Sequence, residues 1–308
     1  MMRGWLPTTG SRLLSNTLAS RTQSMVNAAE RLLDAAGFDN TADGETKRWS
    51  LLGPQAQLSY GVYGEMPLRA MARVLLQPTV RAVTTERSAP RFVDFGSGGG
   101  RLLLGVAAMD RWESCAGIEA VPELHGIASE AILRAEATEA LPPGAVLSLH
   151  SSGLPHEVPA SQEVLSKADC VFMYSTAFPS EDGLRHPELS ASLATMLKES
   201  SVVVTTDAFL LGERFEFDEL VPVQDAYGSP IHCFVWRVIG DPESCYDAAY
   251  AELVDQWMPS HPAERSLAPY EAMLSELEAW SASQNRRHWP GVTGPSRPPF
   301  DSRPDGTS

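Results

Sequence analysis

Two carboxylates and a run of glycines are the residues in this chain best suited to holding a charged small molecule. The segment Phe92-Val-Asp-Phe-Gly-Ser-Gly-Gly-Gly-Arg101 closes an apolar run with Asp94 and follows it with Gly96, Ser97, Gly98 and Gly100. A tight turn at Gly96, Ser97 and Gly98 lets backbone approach a ligand, and Gly100 permits close packing where the next helix begins. Glu119 ends the next apolar run, nineteen positions after Gly100, where a carboxylate can accept two ribose hydroxyls. A dinucleotide fingerprint, G-x-G-x-x-G, would need glycine at 101, and that residue is Arg101. The loop is G-x-G-x-G with an acid two residues before its first glycine. That pattern suits S-adenosylmethionine, which has no pyrophosphate to hold and offers a methionine ammonium to Asp94.

The elements that must position these groups form a repeating pattern. From about 91 to 240, short apolar runs alternate with helical periods, as strands and crossover helices do in a parallel sheet. The strands are expected at 91–95, 114–118, 145–149, 170–174, 202–206, 216–223 and 231–238. Helices are expected at 101–109, 122–139 and 184–199, with Pro122 in a first turn where its missing N–H costs nothing. The last two strands follow each other across turn residues and should form an antiparallel hairpin at the sheet edge. The expected fold is α/β: a doubly wound, seven-stranded, mostly parallel Rossmann-like sheet with a C-terminal hairpin and helical extensions. This is the outline of a class I methyltransferase rather than a dehydrogenase.

The rest of the chain divides by composition. Residues 1–29 hold Arg3, Arg12 and Arg21, eight Ser or Thr and no carboxylate, the character of a transit peptide or a disordered start. Residues 30–90 read as a helical N-terminal segment ahead of the 91–240 domain. Residues 241–283 carry nine carboxylates against Arg265, a net −8, with apolar stripes at helical spacing that suggest an acidic helical extension. Residues 284–308, with five prolines and three glycines, are expected to be disordered. The whole chain of 308 residues carries −15, with Lys47, Lys167 and Lys198 its only lysines. Such a balance disfavours nucleic acid as a partner, because phosphate-backbone binding relies on Lys and Arg. No apolar run reaches the roughly 18 residues of a membrane span. Cys115, Cys170, Cys233 and Cys245 form no C-x-x-C pair, no H-E-x-x-H is present, and neither a metal site nor a disulfide framework is indicated. Reduced, buried thiols suit a reducing compartment.

Residues 62–65, Val-Tyr-Gly-Glu, together with the glycine loop and Leu102 to Ala108, resemble the catalytic domain of the disruptor-of-telomeric-silencing family. These are the histone lysine methyltransferases that lack a SET domain. The likeness continues through Gly117-Ile-Glu119 and Asp169-Cys-Val-Phe-Met-Tyr-Ser-Thr-Ala-Phe178, and covers roughly residues 50–240. It implies that Tyr63 and Glu65 lie over the cofactor, that Asp94 to Gly100 hold its methionine and ribose, and that Glu119 binds the ribose. Ser175 and Phe178 would line the passage where a substrate amine meets the methyl group; Tyr174, Phe178 and Phe209, with Tyr63, are candidates for the aromatic walls of a channel that desolvates the amine. Two positions depart from the family. Its Gly-Asp-Phe after the third strand is replaced near His150-Ser-Ser-Gly153, so a hydroxyl such as Ser152, or backbone, must meet the adenine amine. Ser175 stands where the family has asparagine.

The resemblance implies methyl transfer to a protein lysine, with a basic protein as partner. The acidic surface favours instead a small molecule or a non-histone organellar protein, and the changes at 151–152 and 175 admit a non-catalytic cofactor-binding module. The acid-free opening points to a mitochondrion or plastid, the resemblance to a nucleus, and the residues allow the cytoplasm.

Overall fold

The computed structural model describes residues 9–51, 64–151, 159–175, 178, 186–212, 214–224, 228 and 230–240. The expectations for Tyr63, Ser152 and the segments 241–283 and 284–308 fall outside that range.

Seven described strands form one sheet: β1 (Arg91–Phe95), β2 (Ser114–Glu119), β3 (Val146–Ser151), β4 (Cys170–Met173), β5 (Val202–Thr206), β6 (Phe215–Gln224) and β7 (Pro230–Val238). Their order is β3-β2-β1-β4-β5-β7-β6. The first five pair in parallel, and β7 runs antiparallel to both β5 and β6. This is the doubly wound, mostly parallel sheet with a C-terminal hairpin that the residue pattern predicts. Its order reverses between β1 and β4, and Asp94 stands at the carboxyl end of β1, where open α/β sheets form a crevice.

Burial explains which hairpin strand lies inside. Ile231 and Cys233 to Trp236 of β7 are buried, as a strand with neighbours on both sides requires. Strand β6 carries Glu216, Asp218 and Glu219 and a bulge between Phe217 and Glu219. Its Pro222 is tolerated because edge strands can spare a donor.

The described helices are α1 (Thr9–Ala35), α2 (Ala42–Leu51), α3 (Leu68–Leu75), α4 (Pro78–Glu86), α5 (Arg101–Met109), α6 (Pro122–Ala137), α7 (Pro159–Lys167) and α8 (Pro187–Met196). None is long and apolar enough to cross a membrane. Helix α1 runs across position 29, where composition divides a possible transit peptide or disordered start from the helical segment. It is one continuous helix across that point, and Met25, Val26, Ala29, Leu32, Leu33 and Ala36 are buried. Those positions recur at three- and four-residue spacing, one face of a helix, and that face packs on α5 and α3. Gly105 of α5 allows α3 to cross close to it, since a Cβ there would stand 2.7 Å from a Leu68 methyl. Helix α7 was not expected, being short and without an apolar stripe. Helix α8 is shorter than its 184–199 expectation, starting at Pro187 and ending before Leu197.

The three described cysteines, Cys115, Cys170 and Cys233, are free and buried. Burial pushes the Cys170 thiol up to about 12 and raises the other two, so all three stay protonated and inert.

Candidate functional site

The glycine loop leaves β1 with backbone that side chains rarely adopt: Gly96 at φ 82°, Gly98 at φ 53° and Gly100 at φ 83°. It is tied to the neighbouring strand. Gly96 and Ser97 N–H both donate to the Ile118 carbonyl, at 2.8 and 3.0 Å. Gly100 packs on helix α6, where a Cβ would come within 2.8 Å of Ala128. The close packing expected at this glycine is therefore present, against α6 rather than within the helix it starts.

Above the loop is a cleft lined by Gly64, Glu65, Met66, Asp94, Gly96 to Gly98, Arg101, Leu102, Phe172 and Tyr174. Asp94 faces it from the end of β1, 3 % exposed, with no hydrogen bond or ion pair to any described residue. Burial first, and then the nearby Glu119 charge, push its carboxyl up to about 8. A buried carboxylate without a partner is costly, and it becomes favourable only when a cation arrives to pair with it.

Glu119 is placed differently from what a ribose ligand alone would need. One carboxylate oxygen accepts from Gly98 N–H at 2.6 Å and the other from Val121 N–H at 2.8 Å, at the start of α6. It thus clips the loop to the helix. A carboxylate has about four acceptor positions, so capacity remains for ribose hydroxyls. Burial raises its pKa, while the backbone N–H groups pull it down. The Ser97 hydroxyl is buried without a partner among the described residues. It sits over β2, 2.6 Å from where a Cβ on Gly117 would stand.

Glu65 is held by two guanidinium groups, Arg48 Nε at 2.6 Å and Arg101 Nε at 3.4 Å. Arg48 comes from α2 and is 4 % exposed. Its Nη1 donates to the Asp39 carbonyl at 2.8 Å and its guanidinium lies 4.5 Å over the Phe38 ring. A Cβ on Gly99 would stand 2.7 Å from Arg48 Cδ. Arg101 donates to Met66 O at 2.9 Å and to Asn40 Oδ1. The residue that breaks the dinucleotide fingerprint therefore anchors the N-terminal helices beside the loop. No motif marked Arg48; its only sign in the sequence was a charged residue amid a short helical period.

The aromatic candidates separate. Tyr174 lines the cleft and its ring lies on Gly64, where a Cβ would be 2.6 Å away. Phe178 lies against Gly96, 2.8 Å from a Cβ placed there, and meets Phe95 and His186 edge-on at 5.6 and 6.1 Å. Phe209 is instead core: it is 2 % exposed and packs on Phe234 at 4.6 Å and Trp236 at 6.4 Å. This burial against β7 removes it from the set of passage-lining residues.

Ser175 is also committed elsewhere. It is 1 % exposed, and its hydroxyl donates to Thr206 O and accepts from Thr206 N–H, both at 2.9 Å, joining the ends of β4 and β5. The expected place in the passage is not what its hydroxyl serves. Ser175→Ala should therefore lower stability by about 1–3 kcal/mol, since it strands a buried N–H, and leave ligand affinity within about twofold. Chemical denaturation beside a binding titration checks both halves.

No protein-family model and no curated protein sequence matches the chain. Among solved structures, it is similar to an RNA methyltransferase from Salinibacter ruber in complex with S-adenosyl-L-homocysteine: 18 % identity, 57 % of this chain and 95 % of that one, TM-score 0.37. It is also similar to the tRNA methyltransferase TrmK of B. subtilis: 12 % identity, 68 % and 86 % coverage, TM-score 0.36. A ribosomal protein L11 methylase from Lactobacillus delbrueckii subsp. bulgaricus aligns at 15 % identity, over 55 % and 79 %, with TM-score 0.36. The fold stands on the strand order described above and the site on its own residues.

Proposed function

We propose that this chain is an S-adenosylmethionine-dependent methyltransferase acting on an amine, with a protein lysine as the acceptor. One observation carries the cofactor: the buried Asp94, aimed into a crevice beside a glycine loop and lacking any described partner. The methionine ammonium supplies the missing cation. Glycine positions 96 to 100 give the backbone its approach, and Glu119 has acceptor capacity left for the ribose. The lysine acceptor rests on the resemblance to the non-SET histone methyltransferases. Tyr174 and Phe178, flanking the loop, are the walls that would exclude water and favour the neutral amine.

S-adenosylmethionine supplies an activated methyl group on a sulfonium. The protein's part is alignment, and effective molarities of about 10⁵ to 10⁸ M indicate how much alignment can contribute. No nucleophilic side chain is needed.

The raised Asp94 carboxyl gives a pH signature. The empty protein holds Asp94 protonated below about 8, whereas the bound ammonium requires it ionised. Binding at neutral pH therefore releases a proton, and affinity should rise by up to about tenfold per pH unit toward pH 8, then level off. Titrations at pH 6, 7, 8 and 8.5 measure this; a flat profile below pH 8 would remove Asp94 from the ammonium site.

The activity itself is tested with tritiated S-adenosylmethionine and fractionated lysate, nucleosomes and RNA offered in parallel. Label in a protein fraction, acid-stable and mapped to lysine, with Asp94→Ala as the blank, is the expected outcome. Label in RNA or metabolites would replace the lysine acceptor, and binding without transfer to any acceptor would leave a cofactor-binding module.

A further inference from the structure

A second pair of polar residues stands at the carboxyl rim of the sheet, on the side away from the glycine loop. We propose that His232, set by Asp207, is the proton acceptor for a substrate amine that arrives as an ammonium. This rests on the methyltransferase reading above.

Asp207 follows the last residue of β5 with φ at 50°, a backbone state that costs a residue other than glycine of the order of 1 kcal/mol. The turn is fixed onto β7 by three contacts with one residue. Asp207 N–H donates to His232 O at 2.8 Å. Asp207 Oδ1 accepts from His232 N–H at 2.8 Å and lies 3.2 Å from His232 Nδ1. A carboxylate beside Nδ1 places the ring proton there and leaves the lone pair on Nε2. The backbone contacts alone would close the turn; aligning the ring is an addition that a purely structural aspartate does not need.

Register places the pair relative to the site. Asp94 pairs with Phe172 of β4, and Phe172 with Val204 of β5. Asp207 is therefore three residues beyond the level of Asp94 toward the open rim, two strand spacings of about 4.8 Å across the sheet. Ser175, one residue past the cleft-lining Tyr174, is hydrogen-bonded to Thr206, the residue before Asp207. His232, on β7, is one strand spacing further across than Asp207, beyond the residues that line the cleft, so the role requires a substrate that extends from the cleft over the ends of β4 and β5. The His232 and Asp207 side chains are 31 % and 25 % exposed, so the pair is open to solvent at the rim. His186, the other described histidine near this half, is buried with Nε2 against the Ser175 carbonyl. His125 and His150 lie on α6 and β3, across β1 from the rim.

The step is a proton transfer. An N–H bond of the ammonium breaks, its electron pair stays on nitrogen and makes it a nucleophile, and the proton bonds to His232 Nε2. The resulting imidazolium is held by the Asp207 carboxylate.

The test uses the full chain and the lysate fraction that the wild type labels. His232→Ala should label it 10²- to 10⁴-fold more slowly, with S-adenosylmethionine affinity within twofold of wild type and part of the rate restored by added imidazole. Asp207→Asn, which keeps the turn, should slow labelling at least tenfold. Independently of activity, long-range ¹H–¹⁵N spectra should show the neutral His232 ring protonated at Nδ1 in the wild type, a preference that Asp207→Ala, which has no acceptor there, should lose. Labelling by His232→Ala within threefold of wild type, or an Nε2-protonated ring in the wild type, would overturn the role of His232 and leave the methyltransferase reading standing. A wild type that binds no S-adenosylmethionine and labels nothing would overturn that reading and this one together.

Discussion

Asp94→Asn is expected to weaken S-adenosylmethionine binding by about two orders of magnitude or more, while leaving the empty protein at least as stable as wild type at pH 8. The two halves come from one fact. Asp94 is buried and has no described partner, so ionising it in the empty protein is unfavourable, and its carboxyl is pushed up to about 8. Its folded pKa lies above the ordinary carboxylate value, so the folded state holds a proton that the unfolded chain has given up. Stability from this group is full below about pH 4 and is lost progressively as pH rises through about 8. Asparagine has the same shape and does not titrate, so the share of the slope that Asp94 contributes between those limits should vanish. Binding moves the other way. A charge-assisted contact is worth about 1.5–3 kcal/mol, and an ammonium left buried without its counter-charge costs more. Thermal melts across pH 5 to 8.5, with calorimetric titration of the same two proteins, read both effects. Equal loss of stability and affinity would make Asp94 a structural acid.

The second large effect concerns folding rather than binding alone. Glu65→Ala should destabilise the chain by about 3–5 kcal/mol, because it leaves the buried Arg48 charge without its carboxylate. Arg48 Nε reaches Glu65 at 2.6 Å and the two side chains are 5 % and 8 % exposed. Arg101, 17 % exposed, would be less affected. Since Glu65 also lines the cleft, cofactor affinity should fall with stability. The paired change Arg48→Met with Glu65→Leu separates the two. Replacing both ions by apolar groups of similar size is often near neutral, so it should recover most of the stability lost in Glu65→Ala. Urea denaturation of the three variants gives the comparison. Loss in the double variant as large as in Glu65→Ala would mean that packing, not charge, holds the N-terminal helices to the loop.

The strands of the sheet were legible because buried parallel strands are short apolar runs between turn residues, and β1 and β5 fall at their expected limits. The loop was legible because backbone at positive φ leaves few residues besides glycine. What the residues hid was partnership. Nothing local in Ser175 says that its hydroxyl bridges to Thr206, thirty-one residues away. Nothing in Glu119 says that Gly98 and Val121 will use it first. Phe209 reads as an aromatic near the rim until β7 brings Phe234 and Trp236 against it. Helix α1 was hidden by its own composition, since an acid-free, Ser- and Thr-rich opening carries the buried stripe that starts at Met25. Asp207 and His232 lie twenty-five residues apart, and only the antiparallel return of β7 joins them.

The most direct measurement is a calorimetric titration of the pure chain with S-adenosylmethionine at pH 7, repeated in two buffers of different ionisation enthalpy. Saturable binding that releases close to one proton in the wild type and none in Asp94→Asn, with no binding of a nicotinamide dinucleotide, is the predicted result. Absence of S-adenosylmethionine binding, or binding that Asp94→Asn leaves unchanged, would contradict it.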